Sequence, residues 1–128
     1  MSRKIFRVFL VILGFVPTVT GILSMMGIHD PLFADLNLPA SALLDSDLRF
    51  LGGVWLGLGI TVLVTVNSFE KHFALYRILW GMIFLGGVGR LISMFIIGLP
   101  PVPFVGFTAL EIIGAPIFVY WHSQLVKE

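Results

Sequence analysis

The chain has 128 residues, of which 58% are hydrophobic and 12% charged, and its formal net charge is +1; its mean hydropathy is +1.04. A chain so apolar and so sparsely charged exceeds what a soluble domain of this size carries, and its near-neutral balance gives no reason to expect nucleic acid as a partner. The sequence holds no cysteine, which excludes disulfides, thiolate chemistry and Cys-ligated metals.

Four apolar stretches, about 5–26, 47–67, 73–98 and 104–122, each approach the ~20 residues that a helix needs to cross a bilayer. They use nearly the whole chain. The expected fold is therefore all-α: one integral membrane domain, 1–128, built as a four-helix bundle running up-down-up-down. A transmembrane barrel would need ~10-residue alternating segments, and 56–66 and 78–88 lack a period of two.

Arg3, Lys4 and Arg7 precede the first span. Basic residues before an apolar run also resemble a signal peptide, but the run is long and lacks an Ala-rich small-x-small cleavage site. The only long connection follows, from about Gly27 to Ser46, and it carries Asp30, Asp35, Asp45 and Asp47 with no Lys or Arg before Arg49. Asp30 before Pro31 reads as an N-cap with proline at the first helical position, so a short helix over 32–36 is expected on the outer surface, dipping Leu32, Phe33 and Leu36 into the interface. Pro39 can start the next helix. If that helix begins near Ala40, Asp45 and Arg49 stand four apart on one face and can pair, with Asp47 beside them. These groups read first as a solvated helix start and second as a charged external entrance.

Within the second span, Gly53 and Gly57 form a GxxxG that lets helix backbones approach closely. Phe-Leu-Gly-Gly-Val occurs at 50–54 and again at 84–88, a recurrence better explained by glycine-rich membrane composition than by duplication. A short polar connection, 67–72, leads to the third span, with Lys71 and Arg77 flanking it. Lys127 lies near the end of the fourth. By the positive-inside rule both termini face the cytoplasm and the acidic loop faces out, as in a multi-pass membrane protein.

Every span has one small or polar stripe at helical spacing. The first carries Gly14, Pro17, Thr18, Gly21 and Ser24; the second Arg49, Gly52, Gly53 and Gly57; the third Gly86, Arg90, Ser93 and Ile97; the fourth Phe107, Thr108, Glu111, Gly114 and Ala115. Since lipid is as apolar as leucine, close-packing and hydrogen-bonding residues gain most by facing inward. Gly52, Gly53, Gly57, Gly86 and Gly114 are thus the expected close-packing positions.

Arg90 and Glu111 are the two charges deep inside apolar sequence, placed evenly about the turn Leu99-Pro100-Pro101-Val102-Pro103. Folding back at that turn brings them to one depth, about 15 Å in at 1.5 Å per residue. An unpaired charge there costs about 2.5–3.5 kcal/mol, so the two are expected to pair. Two readings of the pair stand side by side. A buried ion pair can do no more than fix helix register, or it can mark a ligand site or pathway, as intramembrane ionisable residues do by default. Ser93, Thr108 and Thr18 would add hydroxyls to a small polar chamber open toward the outer leaflet, with Arg49, Asp47 and Asp45 nearer its mouth.

Other chemistry is weakly signalled. His29, His72 and His122 are far apart, at membrane edges, and have no metal-ligand spacing. The span hydroxyls more often hydrogen-bond the preceding turn than act as nucleophiles. Met25, Met26, Met82 and Met94 read as packing rather than copper ligands. No catalytic set, metal or cofactor is expected.

The segments Asp47-Leu48-Arg49-Phe50-Leu51-Gly52-Gly53-Val54-Trp55-Leu56-Gly57-Leu58-Gly59, Phe84-Leu85-Gly86-Gly87-Val88-Gly89-Arg90-Leu91 and Gly98-Leu99-Pro100-Pro101, together with Glu111, resemble the domain of unknown function 4345 family of small bacterial membrane proteins. The likeness covers nearly the whole chain, and a more distant likeness, of architecture only, is to the DoxX-like group. The resemblance marks Asp47, Arg49, Gly52, Gly53, Arg90 and Glu111 as family-like positions and implies a bacterial inner-membrane protein, without an activity to carry over.

Three functions fit these residues. The first is a non-enzymatic module that holds a lipid-like or amphipathic ligand, or an integral membrane partner, at the Arg90 and Glu111 chamber; it needs no missing part. The second is a small dimeric transporter using Glu111 as a proton or cation site. The third is a membrane enzyme acting on an anionic or quinone-like substrate with Glu111 as base and Arg90 as electrostatic stabiliser. It lacks a third, orienting group.

Overall fold

In the computed structural model, which describes residues 2–127, the chain is helical almost throughout, and no strand occurs among the described residues. Helix α1 (Arg3–Ser24) opens at Ser2, whose extended backbone lets Oγ accept from Ile5 N–H at 3.4 Å. Its buried residues are Phe6, Leu10, Gly14, Pro17 and Gly21, each three or four positions after the last, so they form one stripe. Helix α2 (Ala42–Thr65) starts at Ser41, whose Oγ accepts from Leu44 N–H at 3.3 Å. The start lies slightly later than Pro39 alone implies, because Ser41 supplies the capping acceptor. The two helices run antiparallel: Gly14 faces Val62 and Leu63, Gly21 faces Leu56, and Gly52 faces Ser24 and Met25.

Between them the chain makes two tight helical turns, Gly27–His29 and Pro31–Leu36. Gly27 has φ +63, a conformation that favours glycine, and a β-carbon there would run into the Asp45 carboxylate. Asp30, only 1% exposed, caps the second turn through Leu32 N–H at 2.9 Å and also accepts from Ser24 Oγ at 3.1 Å. Asn37, with φ +46, ends that turn in the left-handed region.

Past Thr65 the helical path tightens over Val66–His72 and breaks its regular dihedrals at Ser68 before α3 (Phe73–Ile96) begins. The connection is less polar than its composition implies: Phe69 is fully buried, and its carbonyl accepts from His122 Nε2 at 2.8 Å. Gly98, with φ +125, and the prolines after it reverse the chain. Helix α4 (Val102–Ala109), a π-helical turn (Leu110–Gly114) and helix α5 (Ala115–Lys127) then form one continuous run. It is antiparallel to α3, with Tyr76 against His122, Trp80 against Phe118, and Gly87 against Glu111 and Ile112.

The chain divides into two compact units, residues 2–67 and 68–127, each an antiparallel helical hairpin. Three helical runs are long and apolar enough to cross a membrane: Arg3–Ser24, Ala42–Ile96 and Val102–Lys127. The middle run contains α2 and α3, 24 residues each. At 1.5 Å per residue each is about 36 Å long, enough for a ~30 Å hydrocarbon core. The outer surfaces are apolar: Phe50, Val64, Leu85 and Phe95 are at least 68% exposed. A soluble monomer rarely leaves so many large apolar side chains in water.

Candidate functional site

The site lies in the 68–127 unit. Arg90 stands on α3 six residues before Ile96, and Glu111 stands in the π turn of the facing run. Arg90 Nε is 3.2 Å from Glu111 Oε2. The distance is that of an ion pair, but Oε2 receives no well-aligned hydrogen bond. The Glu111 side chain is 14% exposed and that of Arg90 45%, so the carboxylate is the inner member. The guanidinium carbon also lies 5.8 Å from the centroid of the Phe104 ring, within cation–π range. Neither Nη1 nor Nη2 of Arg90 has a hydrogen-bond partner among the described residues.

Local sequence makes this meeting possible. Gly87, one turn before Arg90, has no side chain, and a β-carbon there would come within 2.7 Å of Glu111 Cβ and 2.9 Å of Ile112 Cγ1. The π turn widens the helix by one residue at Glu111, closing with Ala115 N–H on the Leu110 carbonyl. Such single-turn bulges inside α-helices are frequent at functional sites.

Beside the pair, an open cleft of about 290 Å³ is lined by Arg90, Ser93, Met94, Ile97, Gly98, Leu99, Pro100 and Thr108. Thr108 is 4% exposed, and its hydroxyl donates to the Phe104 carbonyl at 2.9 Å. Ser93 is exposed and its hydroxyl makes no hydrogen bond among the described residues. The remaining wall is apolar. The cleft therefore offers hydrogen-bond donors at Arg90 and Ser93, with no carboxylate or amide side chain among its lining residues.

The other polar candidate residues belong to the other unit. In the 2–67 unit, Arg49 Nε donates to Asp45 Oδ2 at 2.7 Å and Arg49 Nη1 to the Met25 carbonyl at 2.6 Å, while Asp45 Oδ1 accepts from Ile28 N–H at 3.0 Å. The three contacts close the α1–α2 connection, with a cation at the carbonyl end of α1, where the helix dipole favours it. Hydrogen bonds from Arg49 and then from Ile28 N–H hold the Asp45 carboxyl below its ordinary value; Asp45 precedes the apolar stretch that begins at Phe50. Asp47 is exposed and takes no part in those contacts. Thr18 Oγ1 donates to the Gly14 carbonyl at 2.8 Å and faces Gly59.

Within the two hairpins the glycines divide. Gly52 sits on the backbone of Ser24 and Met25, but a β-carbon on Gly53, Gly57 or Gly86 would meet nothing within 4 Å among the described residues, and one on Gly114 would touch only the Leu110 side chain at 3.7 Å. GxxxG places its residues four apart, whereas the contacts of this hairpin recur seven apart, at Gly14 and Gly21 on α1 and at Gly52 and Gly59 on α2. Gly59 and Gly87 are thus the close-approach positions missed. The seven-residue spacing was visible in sequence; the π turn left no signal there.

His122 is fully buried, with Phe69, Phe73 and Tyr76 around its ring at centroid distances of 5.4, 5.0 and 5.2 Å. No cluster of three or more His, Cys, Asp or Glu that could hold a metal ion occurs among the described residues.

A family model described as Domain of unknown function (DUF4345) matches residues 5–122. No curated protein and no solved structure matches the chain.

Proposed function

We propose that this chain, which belongs to the domain of unknown function (DUF4345) family, is a non-enzymatic protein of the bacterial inner membrane that holds a lipid-like or amphipathic ligand at Arg90. The ligand's head meets the guanidinium, and its tail lies along Met94, Ile97 and Leu99. The observation that carries this reading is a guanidinium that meets Glu111 through Nε alone, with its terminal nitrogens unpartnered among the described residues, at the wall of a 290 Å³ cleft that is otherwise mostly apolar. A pair serving only as a register pin would gain by satisfying those N–H groups from the protein, since an unmet donor in a low-dielectric setting is costly.

In this reading the chain crosses the bilayer four times, with α2 and α3 as separate spans and both termini cytoplasmic. The positive-inside distribution supports it: Arg3, Lys4, Arg7, Lys71, Arg77 and Lys127 against an acidic first connection. The Pro31–Leu36 turn, with Leu32 51% and Leu36 63% exposed, suits the outer interface. A homodimer or an integral membrane partner can cover part of the exposed apolar surface.

The test is native mass spectrometry of the protein released gently from its own membrane. The expected result is a retained amphiphile that is lost in Arg90→Gln and in Met94→Trp, which fills the cleft, while both variants keep the wild-type helical content. Retention of the same molecule in both variants would place it elsewhere on the protein and remove the basis of this assignment.

A further inference from the structure

We infer that Glu111 sets the charge class of the ligand: the cleft takes an uncharged head whose oxygen accepts hydrogen bonds, a carbonyl of an ester, ketone or quinone, rather than a carboxylate or phosphate. The inference rests on the ligand site proposed above and concerns its selectivity.

Among the polar side chains of the cleft wall, Arg90 and Ser93 offer donors. Arg90 Nη1 and Nη2 have no protein acceptor among the described residues, and the Ser93 hydroxyl makes no hydrogen bond. The Thr108 proton is committed to the Phe104 carbonyl at 2.9 Å. A ligand that engages these side chains must therefore bring acceptors. An Arg alone would take those acceptors as a carboxylate or phosphate, whose paired oxygens match its planar fork.

Arg90 is not alone. Glu111 Oε2 lies 3.2 Å from Nε, and the carboxylate is more deeply enclosed than the guanidinium. Gly87 presses the α3 backbone against the Glu111 β-carbon, so the pair is held by main-chain geometry rather than by a mobile side chain alone. The guanidinium charge is thus balanced before any ligand arrives. A second anion would leave a net negative charge where water is scarce, and an unpaired charge in such surroundings is expensive. A carbonyl oxygen satisfies the same N–H groups without adding charge. Glu111 is not among the residues lining the cleft, so it acts through Arg90 as a positioning and selectivity residue.

The experiment uses the full chain in nanodiscs of ether-linked phospholipid, which lack carbonyl groups, with radiolabelled methyl oleate and oleate as probes at alkaline pH, where oleate is ionised. Wild type is expected to bind methyl oleate at least about tenfold more tightly than oleate. Glu111→Gln is expected to reverse that order, because Arg90 then carries an unbalanced charge. Arg90→Gln is expected to lose the ester. Adding ester-linked phospholipid separates the sources: displacement of methyl oleate identifies bilayer lipid as the natural supplier of the carbonyl, and no displacement identifies a smaller carbonyl compound, both within the inference. Should Glu111→Gln fail to fold, the wild-type preference alone decides. Tighter binding of oleate by wild type would overturn the inference while leaving the ligand site standing. Binding of neither probe would remove both.

Discussion

Gly87 and Glu111 lie so close that a β-carbon on the glycine would sit 2.7 Å from the β-carbon of the glutamate, well inside van der Waals contact. The α3 backbone therefore rests on the π turn itself, and the Arg90–Glu111 contact depends on a missing side chain one turn away. Gly86 has no neighbour within 4 Å of the same virtual atom. The adjacent glycines should respond oppositely to substitution. Gly87→Leu is expected to destabilise by about 1–3 kcal/mol, the usual range for overpacking, and Gly86→Ala to stay within about 0.5 kcal/mol of wild type or gain slightly from helix propensity. Thermal unfolding of both variants in one detergent checks this; equal losses would mean that the α3 backbone does not lie against Glu111.

The first hairpin gives a parallel contrast. A β-carbon on Gly59 would strike Thr18 and the Gly14 carbonyl, whereas Gly53 and Gly57 face no neighbour within 4 Å among the described residues. Gly59→Ala is expected to lower stability by about 1–3 kcal/mol, and Gly53→Ala and Gly57→Ala to be near neutral. Denaturant titration monitored by helical circular dichroism separates them. A large loss at Gly57 would restore the GxxxG packing that the spacing of contacts argues against.

For the ion pair, single apolar replacement should be worse than double. Arg90→Leu leaves an enclosed carboxylate and Glu111→Leu leaves a guanidinium, each costing about 2.5–3.5 kcal/mol as an unpaired charge in the membrane. The double replacement removes both charges and is expected to recover most of that loss. Yield and melting temperature of the four proteins form a double-mutant cycle whose coupling energy should be clearly different from zero.

Asp45, in the first turn of α2 and ahead of the apolar stretch that begins at Phe50, predicts an acid response. Its folded value is depressed below the ordinary 3.8, chiefly by the Arg49 hydrogen bond and then by Ile28 N–H. A depressed folded value means that the unfolded chain binds the proton more readily, so the contribution to stability is complete above 3.8 and is lost as pH falls through the folded value. Asp45→Asn should flatten that acid limb and leave the slope near neutral pH unchanged. Melting temperatures across the acid range for the two proteins show whether the limb belongs to Asp45.

Topology can be read without disturbing native thiols, because the sequence has none. A single cysteine at Ala42 is expected to react with an impermeant maleimide in intact cells, and one at Ser68 only after the membrane is opened. Reaction at Ser68 alone would invert the proposed orientation.

Composition and hydropathy fixed the class of this protein before any contact was known, since a chain with so little charge has too few polar groups to cover itself in water. The all-helical elements followed from the same source: their caps at Ser2, Asp30 and Ser41 are local chemistry, written in adjacent residues. The pairing of Arg90 with Glu111 was also legible, because two isolated charges evenly spaced about a prolyl turn have few other ways to be satisfied in lipid.

Which glycine bears a neighbour was not legible, since every helix face carries small residues and only the crossing of two helices selects among them. Nor was the widened turn at Leu110–Gly114, because the five residues that adopt it carry no local signal that sets them apart from ordinary helix. The enclosure of His122 among three aromatic rings has the same origin: its neighbours Phe69, Phe73 and Tyr76 lie some fifty residues away in sequence, and folding back alone makes them one core.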